Sequence, residues 1–204
     1  MKKKNSNRSF TTITLLLMAM GILLSLSQFI NHAPEYLRAV LTPVRHSTKP
    51  DFSNIDKLLT DVVENGLVDY GKMARGPLLN KALDEVAGQS PDHFANPEDR
   101  VAFLINAHNI LSLKIMADRY GKKDPAVRTL DFQTKRFVVS GKVISVEQLW
   151  VDQLIPIITP PGGQKGNDQR LLMLVCRCTM GDPPILNHAV TAESLHNDMA
   201  ENTN

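Results

Sequence analysis

The sequence predicts a single, mainly helical α+β domain with a small β-hairpin and one buried strand, preceded by an N-terminal transmembrane or signal segment. Three observations carry that expectation. The stretch from Asn96 to Tyr120 is strongly apolar and has helix signals at both ends; Ser140-Gly141 separates two short β-prone runs; and Leu171 to Val175 is an unbroken apolar run. Helices interrupted by a hairpin and a lone strand, without an internal repeat, form the pattern of α+β folds.

The chain has 204 residues, 43% of them hydrophobic and 22% charged, the balance of an ordinary globular protein. The body beyond a leader of about 30 residues suits one domain better than two, and is long enough to bury a core without staples. The net charge of +2 hides an asymmetry, because Lys2, Lys3, Lys4 and Arg8 all lie in the leader with no acid beside them. The remainder is slightly acidic. A near-neutral body has no electrostatic reason to bind a polyanion, so nucleic acid is not expected as a partner.

Residues 1–30 read as a signal anchor or signal peptide. From Thr11 to Ile30 no residue is charged, and the most apolar part, Ile13 to Leu26, reads ITLLLMAMGILLSL. Twenty uncharged residues at helical rise cover roughly the 30 Å hydrocarbon core of a bilayer. The cations precede this run, and the first charge after it is Glu35. The positive-inside rule then leaves the N-terminus in the cytoplasm and sends the body across an inner or plasma membrane to the extracytoplasmic (periplasmic) side. An uncleaved anchor fits the full run and the lack of an A-x-A site; a cleaved signal peptide fits the shorter apolar core, with Ser25 and Ser27 before a cut. No Cys stands directly after the run, which excludes a lipoprotein anchor.

Residues 31–50 mix Pro, His and basic residues without a sustained period and read as a tether, or as a short helix and turn. The domain is expected over 51–204. Asp51 or Ser53 caps a helix carrying Ile55, Leu58, Leu59, Val62 and Val63, and Gly66 stops it. A shorter helix is expected from Leu78 to Val86. In the long helix Asn96 is the N-cap, Pro97 suits the first turn, Glu98 and Asp99 favour the positive end of the dipole, and Gly121 supplies the stop. At 100° per residue Arg100, Phe103, Ala107, Lys114 and Asp118 share a narrow wet stripe, with Lys114 and Asp118 paired one turn apart. Ser145 and Gln148 form a capping box for a helix through Trp150 to Ile155. Residues 160–168 read as a surface loop, Asp182-Pro-Pro as a turn, and Thr191 as the cap of a last helix.

Two places carry candidate chemistry. Asn106 and Asn109 lie one turn apart among apolar neighbours, so their amides either pin the backbone of a nearby loop or line a binding site. His108 points elsewhere, and a histidine among apolar residues is more often a hydrogen-bonded core residue than a base. Cys176 and Cys178 come directly after the apolar run. On a continuing strand both thiols face one side with Cα atoms about 6.6 Å apart, near the upper limit for a disulfide. They stand as inert or structural cysteines, a redox pair, a nucleophile favoured by Arg177, or zinc ligands with His188. The last spacing matches no established site, and no metal is expected. GxSxG, HExxH, P-loop and dinucleotide fingerprints are absent from the sequence, and no cofactor is expected.

Taken in order, GLVDY (66–70), AFLINAHNILSLKIMADRY (102–120), GKVISVEQL (141–149) and LMLVC with the later DPPIL (182–186) resemble the domain-of-unknown-function family 547 over residues 52–199. INAHN is the most specific of these segments. The resemblance matches the two asparagines of the family's helix motif to Asn106 and Asn109. Trp150-Val151 stands where family members often carry Glu-His, Asp182 where they often carry Cys before Pro-Pro, and a His on the strand before the Cys is missing. If those polar residues form a catalytic set, this member has lost much of it. The leading expectation is therefore a membrane-tethered domain that binds a small molecule or protein through Asn106, Asn109 and His108 and does no chemistry of its own. The alternative is a thiol-dependent hydrolase or transferase using Cys176 or Cys178.

Overall fold

The long central helix sets the architecture. The computed structural model describes residues 6–122, 129–159, 169–178 and 181–202. In chain order the helices are α1 (Ser6–Asn31), α2 (Ala33–Leu41), α3 (Ser53–Val62), α4 (Tyr70–Arg75), α5 (Leu78–Ala87), α6 (Pro97–Arg119), α7 (Thr129–Thr134), α8 (Val146–Leu149), α9 (Ile155–Ile158) and α10 (Leu195–Glu201). Two antiparallel hairpins, β1 (Val63–Glu64) with β2 (Leu67–Val68) and β3 (Phe137–Val139) with β4 (Lys142–Ile144), supply the strands. A mainly helical α+β domain is thus what the chain forms.

Every residue of α6 from Val101 to Leu113 is buried, so the helix is enclosed on all faces. The Asn96 side chain accepts the Glu98 N–H at 3.0 Å, and Gly121 takes a φ of +72° just beyond the far end. The expected wet stripe is corrected: Phe103 and Ala107 are fully buried, and solvent reaches the helix only at its ends, at Arg100 and around Lys114 and Asp118. There the Lys114 ammonium pairs with Asp118, which also takes Lys135 at 3.2 Å. Burial alone would raise the Asp118 pKa, but the two lysines outweigh it and hold the carboxyl low.

Helix α5 packs between α3 and α6, with α4 and α8 also against α6. Ile55, Leu58, Leu59 and Val62 of α3 face the core. Ser140 and Gly141, at φ of +52° and +73°, make the tight turn of the second hairpin. Their N–H groups donate to the Val86 and Ala87 carbonyls at 3.1 and 3.0 Å, satisfying acceptors that the end of α5 leaves open. Ser145 and Gln148 close the capping box at the start of α8. That helix continues through a π-helical stretch, Trp150–Leu154, into α9.

Three local expectations fail for identifiable reasons. Leu171 to Val175 is not a strand. Gln169–Leu174 forms a 3₁₀ helix, with Leu171 and Leu174 buried on one side and Leu172 and Met173 facing out. Both hairpins among the described residues are two-stranded and separate, so the run has no ladder to join and bonds within itself instead. Gly66 does not simply stop α3. With Asn65 it makes the turn of β1–β2, both residues at positive φ (+51° and +75°). Thr191 opens a turn rather than a helix; its hydroxyl and that of Ser194 each accept the other's N–H at 3.0 Å, and Ser194 is the N-cap of α10. The loop expected over 160–168 lies outside the described residues.

At the N-terminus α1 leads into α2 through His32, where Pro34 removes a helical N–H. Ile13, Leu16, Leu17, Met18, Met20, Ile22, Leu23, Leu26 and Ile30 are each 52–68% exposed, because the body does not cover this helix. Among the described residues no helix is long and apolar enough to cross a membrane. Residues 31–50 lie against the body. Arg38 pairs with Asp84 at 2.5 Å, the Arg45 N–H donates to the Gly88 carbonyl at 2.8 Å, and the Gln89 amide holds both ends of the Asp51 residue at 2.6 and 2.8 Å.

A Cβ added to Gly66 would lie 2.8 Å from Pro184 Cβ, in a conformation that L side chains rarely adopt. Gly66→Ala should therefore cost more than about 1 kcal/mol in denaturant unfolding. An unchanged midpoint would show that the first hairpin is not packed against the Pro183-Pro184 turn.

Candidate functional site

Helix α6 projects two carboxamides in one direction, and both clamp main chain. Asn106 Nδ2 donates to the Val190 carbonyl at 2.7 Å while its Oδ1 accepts the Val190 N–H at 3.0 Å. One turn on, Asn109 Nδ2 donates to the Leu174 carbonyl at 2.8 Å and its Oδ1 accepts the Cys176 N–H at 2.9 Å. Each amide acts as a section of β ladder, giving buried backbone the donor and acceptor that no strand supplies. Of the two roles open to these asparagines, this is the geometry of pinning a loop.

His108 lies on another face of α6, fully enclosed, its ring 5.8 Å from that of Trp150. Among the described residues its Nδ1 has no hydrogen-bond partner, and neither has the Ser112 hydroxyl one turn further on. Burial pushes the imidazole pKa down to about 4, and the charge of Arg177 adds to the effect. The ring is neutral at physiological pH. Trp150 and Val151 occupy the positions where the resemblance leads one to look for Glu-His; Trp150 faces His108, and Val151 is exposed.

The thiols meet by a route that an extended strand would not provide. Asn109 fixes the Cys176 N–H, and Cys178 then takes a φ of +59°, turning the chain back on itself. The two Sγ atoms stand 3.8 Å apart, and the Cys178 N–H donates to Cys176 Sγ at 3.2 Å. Hydrogen bonding from the Cys178 thiol lowers the Cys176 pKa, against the opposing pull of burial. Cys178 is raised by the same partnership and by its own burial. Tyr70, a neighbour of Cys178 in the fold, is also raised, chiefly by burial and then by the thiol's influence.

Arg177 does not serve the thiols. Its guanidinium lies 3.6 Å from the Glu147 carboxylate and 5.9 Å from the centre of the Phe132 ring, while the Asp182 carboxylate accepts its backbone N–H at 3.0 Å. His188 pairs instead with buried Asp198 at 3.1 Å. Among the described residues no imidazole is hydrogen-bonded to either thiol, and no three His, Cys, Asp or Glu side chains gather to hold a metal ion. A depression of about 590 Å³ lined by Asp61, Glu64, Asp69 and Lys72 lies along α3, the first hairpin and α4. Tyr70 and Asp182 are the members of the thiol neighbourhood that sequence spacing does not reveal. Tyr70 ends the GLVDY segment, far from the cysteines in sequence, and only the fold joins them.

A family model described as "Protein of unknown function, DUF547" matches residues 92–204, which take in α6, the second hairpin and the thiol turn. No curated protein and no solved structure matches the chain.

Asn106→Leu and Asn109→Leu should each lower stability by roughly 1–3 kcal/mol for every backbone group left unpaired. An unchanged denaturant midpoint for either would mean that its amide is replaceable by solvent. His108 sets a pH dependence. Its folded-state pKa of about 4 lies below the ordinary value of 6.5, so the unfolded chain takes up the proton first as pH falls. The stability it contributes is complete above about pH 6.5, declines on acidification and is gone near pH 4, roughly 3 kcal/mol in all. His108→Phe should remove this component from the wild-type stability–pH curve. Parallel curves for the two proteins would contradict it.

Proposed function

This chain belongs to DUF547, a family of unknown function, so its role has to be read from its own residues, and we propose that it is a membrane-tethered, extracytoplasmic domain that binds a ligand or partner. The carrying observation is α1. Its apolar side chains stand exposed around the helix, in a run that is uncharged from Thr11 to Ile30. A helix apolar all round needs a core or a bilayer, and the body leaves this one uncovered. Each apolar Å² removed from water stabilises by roughly 25 cal/mol, which favours insertion. Lys2, Lys3, Lys4 and Arg8 precede the run, and the positive-inside rule then assigns the body to the far side.

Binding, rather than hydrolysis or acyl transfer at Cys176 or Cys178, is favoured by the thiols' surroundings. The two free thiols face each other, with their Sγ atoms 3.8 Å apart. An acyl-transfer thiol requires a base to take its proton and later return it. The buried imidazole of His108 resists protonation.

A reporter active only outside the cytoplasm, fused after Asn204, should give signal. Signal instead from a cytoplasm-only reporter at the same junction would overturn the proposed orientation.

A further inference from the structure

Three features converge on the Cys176–Cys178 turn that neither the anchor nor a binding role requires. The thiols face each other at 3.8 Å across a single intervening residue. Cys178 holds a left-handed backbone conformation that costs a non-glycine residue energy and persists only where its surroundings impose it. Asn109 locks the Cys176 end of the turn from the most deeply buried helix of the domain.

We propose that Cys176 and Cys178 form a two-electron dithiol–disulfide couple that exchanges with a partner carrying a disulfide. The sulfur separation must shrink by somewhat less than ~2 Å to reach bonding distance, a movement within side-chain rotation and a small relaxation of the turn. The two sulfurs are not equivalent. Cys176 Sγ receives the Cys178 N–H at 3.2 Å and faces the Cys178 thiol, so negative charge is better accommodated there. Cys178 keeps its proton and is the more exposed of the two.

That asymmetry orders the steps. The Cys176 thiolate attacks one sulfur of the partner disulfide; a Cys176–partner bond forms, the partner S–S bond breaks, and the second partner sulfur leaves as thiolate. Cys178 then gives up its proton and attacks Cys176 Sγ. The protein disulfide forms, the mixed disulfide breaks, and the remaining partner sulfur leaves. Two protein thiols are oxidised, one partner disulfide is reduced, and the two thiol protons end on the departing sulfurs. This couple goes beyond the proposed tether and does not depend on it, since exchange requires only the folded turn.

The test uses the full chain in detergent, reduced and then exposed to oxidised glutathione at neutral pH, acid-quenched and weighed intact. Wild type should convert to a form lighter by two hydrogens without accumulating a glutathione adduct. Cys178→Ser should accumulate the adduct at Cys176, and Cys176→Ser should form at least tenfold less in the same time. Tyr70→Phe, which leaves both sulfurs in place, should still reach the oxidised form and so reports on folding of the turn. Wild type that stays reduced or stops at an adduct, or serine variants that trap glutathione equally, would overturn the couple.

Discussion

The carboxamides of Asn106 and Asn109 hold the C-terminal third of the domain to its centre. The described residues of 169–178 and 181–190 contain no regular structure beyond one 3₁₀ helix, yet Leu174, Val175, Cys176, Ala189 and Val190 are buried. Buried peptide groups left unpaired would cost about 1–3 kcal/mol each. A β-sheet would normally meet that need, but the hairpins among the described residues are two-stranded and lie elsewhere. Helix α6 meets it with two amides one turn apart, each offering a donor and an acceptor at main-chain spacing. Hydrophobic burial makes α6 the centre; the amides decide which loops come to it.

The same clamps locate the thiols. Asn109 binds the Leu174 carbonyl and the Cys176 N–H, so the end of the 3₁₀ helix and the first cysteine are held by one side chain. Cys178 can then turn back, and its positive φ becomes the means by which the two sulfurs meet. Asn106 does the equivalent for Val190, steadying the segment that leads into α10. A chain whose family resemblance centres on INAHN therefore uses both asparagines of that segment in architecture. The histidine between them is shut in beside Trp150, its proton affinity reduced by the burial that makes the helix central.

Much of the helical framework is legible in the sequence because local chemistry announces it. Asn96 and Pro97 mark the start of α6, Ser145 and Gln148 form their capping box, and Ser140-Gly141 turns the second hairpin. The illegible parts depend on partners far away. Leu171 to Val175 has the composition of a strand, but a strand requires a neighbour, and no local signal announces that none will come. Gly66 resembles a helix stop because the strands on either side of the Asn65-Gly66 turn are too short to show a period. The meeting of Tyr70 with Cys178, and the clamping of Val190 by Asn106, join residues too distant in sequence for spacing to reveal.

Two side chains of one helix thus substitute for a strand in protecting buried main chain. Hydrogen exchange at the Cys176 and Val190 amides tests that substitution most directly, since each is bonded to an asparagine Oδ1 rather than to regular secondary structure. Both amides should exchange as slowly as those in the middle of α6, opening only with global unfolding. Exchange of either on the timescale of exposed loops would contradict it.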